Sequence, residues 1–305
     1  MHNKNLMRKI TTYILALLSV LVIFSSCKKE YESIESIDDA KIKDYIAKNN
    51  LQNVVSDPSG FHYQVTEEGT GDLFQNTDLV LYHVTVKSLE KGTEYLQSPN
   101  YANLSNYVGY LNSFFNSSLS TSTSYNIPAI RTAVLALKPG GAARILLPSY
   151  LAFGKNGAGP IPSNEIIDLY INTSVYKKQD ELDDNIIQAF LTANNITATK
   201  HSSGVYYQVL TQGTGTDIID EYSDLVVKYS GRFLNGTQFD SGDSFSTTLQ
   251  TVISGWGEVI PLFTQGAKIR IFIPSALGYG TSGYGSVPGN TVLDFTIDIT
   301  SVTND

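Results

Sequence analysis

Apolar residues follow three kinds of pattern along this chain. From Ile10 to Phe24 they run almost unbroken (ITTYILALLSVLVIF), about 15 residues where a membrane span needs ~20. In two later stretches they recur at helical spacing: Ile42, Tyr45 and Ile46 fall at i, i+3, i+4, as do Ile187, Phe190 and Leu191, which predicts two amphipathic helices with a packing role. Asp38-Asp39 and Asp183-Asp184 are expected in the first turns, where carboxylates favour the helix dipole. Elsewhere the period is two. Leu293, Phe295, Ile297 and Ile299 alternate with Asp294, Thr296 and Asp298, a strand with one dry and one wet face. Ile269, Ile271 and Ile273 alternate with Lys268, Arg270 and Phe272, and Leu225, Val227 and Tyr229 share a face. Between these strands Gly255–Gly266 has room for one short helix. Antiparallel strands with a helix segregated to one face predict an α+β half-barrel.

The pattern occurs twice. IDDAKIKDYIAKNNL from Ile37 parallels LDDNIIQAFLTANNI from Leu182, and SGFHYQVTEEGTG from Ser59 parallels SGVYYQVLTQGTG from Ser203. The offset, about 145 residues, is the size of a whole domain rather than of a solenoid repeat. The expected division is a first domain over 37–178 and a second over 179–305, each opened by a helix.

Before the first domain, Lys4, Arg8 and Lys9 precede the apolar run, and Ser25-Ser26 follow it. A basic start, a short apolar core and small residues describe a signal peptide over 1–26. Cys27 comes next and is the chain's single cysteine, so no internal disulfide and no cysteine zinc site can form. Its position resembles the lipobox of bacterial lipoproteins, with Phe24 where leucine is preferred. The resemblance implies lipidation at Cys27, a tether over 27–36 and an exported protein anchored to a bacterial membrane, with the outer membrane, facing periplasm or cell surface, as the expected site. The four histidines are scattered and imply no metal and no cofactor. The formal net charge of -8 without a basic patch argues against nucleic acid as a partner.

Four segments of the second domain stand in one order: VVKYSGRFLNGTQFDSG from Val226, VISGW from Val252, IPSALGYG from Ile273 and VPGNTVLDFTIDI from Val287. Together they resemble the FKBP-type peptidyl-prolyl isomerases over most of 203–301. The resemblance implies two FKBP-like domains, each an antiparallel half-barrel wrapped on a short helix and preceded by an N-terminal helix. It also implies a site. Trp256 forms the floor under a proline ring. Tyr229, Phe239, Val252, Ile253 and Phe295 line the walls, with Phe245 beside them. The Ile253 N–H and the Tyr279 hydroxyl hold substrate carbonyls, Asp240 hydrogen-bonds within the pocket, and Tyr284 and Val287 lie on the rim. Such residues suit the chemistry. Rotation about a peptide bond faces ~18–20 kcal/mol of amide resonance, and a pocket that prefers the twisted amide over the flat one needs no nucleophile. Two departures bear on substrate affinity: Gly242-Asp243 follow where the family often has an arginine, and the loop from Phe239 to Val252 is short.

The first copy keeps the frame, in LVLYHV from Leu79, KPGGAARILLPSYLAFG from Lys138 and IPSNEIIDLYI from Ile161. Its site is eroded. Ile130 stands for Trp256, Phe153 for Tyr279, Leu96 for Asp240 and Leu169 for Phe295; Tyr95 matches Phe239, and either Tyr82 or His83 matches Tyr229. An insertion over 97–125, rich in Ser, Asn and Tyr, reads as a long loop with a contact surface on Tyr101, Tyr107, Tyr110, Phe114 and Phe115. Two functions follow: a prolyl isomerase acting on proline-containing exported polypeptides through the second domain, the first being non-catalytic; or a lipid-anchored interaction module without catalysis. No specific protein partner can be named from the sequence.

Overall fold

The computed structural model describes residues 32–114 and 125–304. The segment read as a signal peptide, Cys27 and the start of the expected tether lie outside the described residues, as does Phe115. No helix among the described residues is long and apolar enough to cross a membrane.

Each half of the chain builds the same mixed sheet and helix unit. In the first, helix α1 (Ile34–Lys48) precedes strands β1 (Val55–Ser56), β2 (His62–Glu67), β3 (Leu79–Ser88), β4 (Glu94–Gln97) and β5 (Leu104–Tyr107). A small hairpin, β6 (Ser113–Phe114) with β7 (Tyr125–Asn126), leads to α2 (Ala129–Leu135), β8 (Ala142–Leu147) and β9 (Ile167–Thr173). The sheet order is β1-β2-β8-β9-β3-β4, with β5 also on β3. In the second, α3 (Gln179–Ala193) precedes β10 (Thr199–Lys200), β11 (Tyr206–Thr211), β12 (Asp224–Phe233), β13 (Gln238–Thr247), α4 (Ser254–Val259), β14 (Lys268–Ile273) and β15 (Leu293–Thr303). The order β10-β11-β14-β15-β12-β13 repeats the first, and the ladders are antiparallel. The α+β fold expected from the repeat is the one observed.

One face of each sheet closes on its short helix. Ile130, Ala133 and Val134 of α2 meet Val84, Ile145, Leu169 and Ile171; Trp256 and Val259 of α4 meet Val227, Ile269, Ile271, Phe295 and Ile297. The opposite face carries the leading helix, with Ile42 on Leu146 and Ile166, and Ile187 and Leu191 on Tyr206 and Phe272. This corrects the one-sided reading of the strands. Asp294 is only 4% exposed, because α3 covers its face and Arg270 pairs with it through two bonds of 2.9 and 2.7 Å. Arg144 and Asp168 do the same under α1, where Arg144 also donates to the Tyr45 hydroxyl. Burying a charge at such a face requires a paired, hydrogen-bonded partner.

The helices also start earlier than their aspartates suggest. Ser33 caps α1 by accepting the Ser36 N–H at 3.2 Å, so Ile34–Ser36, read as tether, are helical, and Glu35 takes the first turn. Asp180 and Glu181 do so in α3. One turn further on, Asp38 and Asp183 act instead as buried acceptors. The Asp38 carboxylate receives the N–H and hydroxyl of Ser149 at 2.8 and 2.7 Å. Asp183 receives those of Ser275 at 2.7 and 2.6 Å. Each tie fixes a leading helix to the loop after β8 or β14.

The described part of the insertion, 97–114, is built into the sheet and the core rather than a free loop. Ser98–Asn103 interrupts an edge strand that runs on, bulged, as β13 in the second domain; β5 then resumes pairing with β3. Val108 and Leu111 return into the first core.

Candidate functional site

The site grows from three strand positions on one face of β12. Tyr229, Gly231 and Phe233 alternate toward the core. A Cβ at Gly231 would lie 2.6 Å from the Phe295 ring and 2.8 Å from that of Phe239, so glycine here makes room for both rings. Gly255 plays a similar part at the helix: a Cβ would lie 2.4 Å from Ile273, and its absence lets α4 settle close on the sheet. Trp256 is thereby pressed into the concave face, 3% exposed.

Around the indole the aromatics meet edge to face. Trp256 lies 5.4 Å from Tyr229 at 77° and 5.4 Å from Phe295 at 86°. Phe239 meets Phe295 at 5.5 Å and 88°, and Tyr229 meets Phe245 at 5.5 Å and 65°. Positive ring edges against negative ring faces stabilise this arrangement. Val252, Ile253 and Tyr279 pack against the same cluster, and Val287 is buried in it. Tyr284 is 73% exposed but stacks on Tyr279 at 5.5 Å and 17°. The residues expected from the sequence therefore come together, Tyr284 by its ring contact on Tyr279 and by a two-bond backbone bridge with Val287.

Polar groups mark one side. The Tyr229 hydroxyl donates to Asp240 Oδ2 at 2.9 Å, and the Ser241 N–H donates to Oδ1 at 2.8 Å. Burial first, then the Asp240 carboxylate, pushes the Tyr229 hydroxyl up to about 12. Burial, helped by the charge of Asp240, also raises Tyr279. Both phenols are therefore protonated donors at neutral pH. Tyr229 has spent its proton on Asp240, whereas the Tyr279 hydroxyl and the Ile253 N–H donate to no protein group among the described residues. The indole Nε1 of Trp256 is buried without a partner among the described residues. A concave aromatic floor with unspent donors at its edge can grip an apolar ring and hold a carbonyl beside it. Open surface cavities of about 470 Å³ near Thr214 and Asp298 and about 290 Å³ near His83 and Asn172 lie elsewhere; neither is lined by Trp, Tyr or Phe.

Sequence reasoning missed two members. Phe233, tilted on Phe239 at 5.0 Å, was legible from its i+4 relation to Tyr229. Tyr101 packs against the second domain's cluster from the first domain, and no local pattern foretells it.

In the first domain the sheet registers locate the counterparts. Leu96 lies opposite Val86 as Asp240 lies opposite Gly231, and Val86 faces Leu169 as Gly231 faces Phe295. The residue facing Ile171, as Tyr229 faces Ile297, is Val84, so neither Tyr82 nor His83 takes that place. Val86 fills the space that Gly231 yields to the rings of Phe295 and Phe239. Ile130, Phe153, Leu169, Val108 and Leu111 are all at most 5% exposed and close the remainder with apolar carbon.

The model of the family described as FKBP-type peptidyl-prolyl cis-trans isomerase matches residues 216–300. The isomerase FkpA of Buchnera aphidicola (subsp. Schizaphis graminum) is 33% identical over 129 residues, 40% of this chain and 51% of the relative. That of Aeromonas hydrophila is 40% identical over 105 residues, 33% of this chain and 38% of the relative. The chain thus spans about half the length, or less, of these curated relatives. A crystal structure of a peptidyl-prolyl cis-trans isomerase from Pseudomonas syringae pv. tomato is 30% identical, covering 41% of this chain and 96% of that one, with a TM-score of 0.37.

Proposed function

This chain belongs, through its second domain, to the FKBP-type peptidyl-prolyl cis-trans isomerases, and on that premise we propose that it isomerises X–Pro bonds at the Trp256 site while its first domain is non-catalytic. The proline ring rests on the indole of Trp256 between Tyr229, Phe239 and Phe295. Val252, Ile253 and Val287 shed water from it. The Ile253 N–H and the Tyr279 hydroxyl take carbonyl oxygens of the chain on either side. As the amide twists, its nitrogen loses conjugation and its carbonyl swings out of plane. A dry floor and fixed donors favour that geometry over the flat ground state, and only such a difference in binding accelerates the step. Asp240 contributes by holding the Tyr229 ring in place through its hydroxyl.

The observation that carries this reading is the contrast between two copies of one fold. Where the second has Gly231, an aromatic box and unspent donors, the first has Val86 and a core filled with Ile130, Phe153 and Leu169. The clients are proline-containing polypeptides outside the cytoplasm. The apolar leader and Cys27 support export and lipid anchoring to a bacterial membrane, with the outer membrane as the favoured site.

The test is cis-to-trans relaxation of X–Pro tetrapeptides by the purified full chain and by Trp256→Leu. The wild type is expected to accelerate relaxation in proportion to its concentration, and the variant to lose at least nine-tenths of kcat/KM, roughly 1.4 kcal/mol of transition-state preference. A wild type that binds proline peptides without accelerating relaxation favours the interaction-module reading instead. A variant retaining full rate would place the activity in the first domain.

A further inference from the structure

We infer that the first domain supplies positioning residues for the second domain's site: Tyr101, Asn103 and Ser105 hold the rim that carries Tyr279, Tyr284 and Val287. The inference rests on the isomerase reading for what the rim does, but not for how it is held.

The contact is built by Ser98–Asn103, the stretch that interrupts the first domain's edge strand. The Tyr101 ring stacks on Phe233 at 4.5 Å and 6°. Phe233 in turn meets Phe239, and Phe239 meets Phe295 in the pocket. Beside it the Val292 N–H donates to the Tyr101 carbonyl at 3.3 Å, and Ala102 forms an antiparallel bridge with Thr291. Asn290 Nδ2 donates to the Asn103 carbonyl at 3.1 Å and to Ser105 Oγ at 3.0 Å.

These bonds bear on one loop. The Asn290 N–H donates to the Gly280 carbonyl at 2.9 Å, closing the segment that contains Tyr284 and Val287. At the loop's other end, the Asn103 amide exchanges hydrogen bonds with Gln179 at 2.9 and 2.8 Å. Gln179 donates to Asp183 at 2.7 Å, and Asp183 accepts both donors of Ser275. Asn103 thus reaches both ends of Ser275–Asn290.

The internal repeat provides a control. Asn164 occupies the same turn in the first domain, with φ of 54° against 55° at Asn290, and its N–H donates to Gly154 at 3.0 Å. It is exposed, whereas Asn290 is 3% exposed. The turn alone does not bury the asparagine; the first domain does. A rim anchored at both ends keeps its binding-competent state populated, and an apparent affinity scales with that population.

The experiment compares the full chain with Tyr101→Ala, Tyr101→Phe and Asn290→Gly. Glycine at 290 keeps the positive φ and the bond to Gly280 while deleting the bonds to Asn103 and Ser105. Amide hydrogen exchange over 279–292 is expected to quicken about tenfold in Tyr101→Ala and Asn290→Gly, with β14 and β15 protected as before. KM for X–Pro peptides is expected to rise about fivefold with kcat within twofold, because the floor is untouched. Tyr101→Phe keeps the stacked ring and restores both readouts. Unchanged exchange over 279–292 in both disruptive variants, or KM within twofold of wild type in both, overturns the inference. Should the wild type not isomerise, the isomerase reading is lost, and peptide Kd read from Trp256 fluorescence replaces KM in the same comparison.

Discussion

Replacing Asp240 with leucine gives the second site the residue that the first domain carries at the same strand position, Leu96. The change deletes an acceptor for the Tyr229 hydroxyl at 2.9 Å and for the Ser241 N–H at 2.8 Å. Hydrogen bonds to a charged partner are worth ~1.5–3 kcal/mol when shielded, but Asp240 is exposed and water can take up both donors, so the stability cost falls to about 1 kcal/mol. A domain of this size should melt only a few degrees lower, by about 3–6 °C. The effect on rate is larger than on stability, because the carboxylate also fixes the ring that walls the pocket. The expected loss is about tenfold in kcat/KM, equivalent to ~1.4 kcal/mol. A titration of phenolate absorbance separates a lost contact from a lost fold. Tyr229 stands at about 12 because burial and then Asp240 raise it. In Asp240→Leu it should descend toward 10.0, yet stay above it while burial persists. A folded variant with wild-type kcat/KM would refute the role given to Asp240. An unchanged Tyr229 titration would refute the hydrogen bond itself.

Tyr279→Phe should lower kcat/KM about fivefold with little change in melting temperature, since its hydroxyl bonds to no protein group among the described residues; equal activity would remove that donor from the mechanism. Stability should hold steady up to pH 10.0 and decline from there toward about 12, because burial raises Tyr82 and Tyr170 to about 12 while the unfolded chain ionises at its ordinary value. The folded state keeps protons that the unfolded state releases, so rising pH favours unfolding; Tyr82→Phe should flatten the decline in a pH series of chemical melts. Cys27→Ser should move the chain from the membrane to the soluble fraction, and a variant that stays fully membrane-bound with lipid attached would refute anchoring at that residue.

Periodicity made the strands and both leading helices legible, because each buries one face and that face must be apolar. It failed where a second layer covers the other face. Asp294 and Phe272 read as solvent positions, yet α3 lies over them and Arg270 pairs with Asp294. The aspartates of α1 and α3 looked like first-turn charges because the caps upstream carry no apolar signal. Four segments in order pointed to the side chains that cluster around Trp256, since they come from near-contiguous strand and turn positions. Counting residues could not place Tyr229's counterpart, because bulges in both hairpins shift the register and only the ladder identifies Val84. Tyr101 was noticed as an aromatic in a long insertion, but its partner lies in the other domain and no spacing encodes that.

The central claim is one working site per chain, on the floor formed by Trp256. Trp256 is the chain's single tryptophan, so its emission reports that floor and no other place. Titration of the full chain with an X–Pro peptide, followed by Trp256 fluorescence, should saturate at one peptide per chain, with a Kd that matches the KM for isomerisation. Emission that stays constant while the same peptide is being turned over, or saturation at two peptides per chain, would contradict the account.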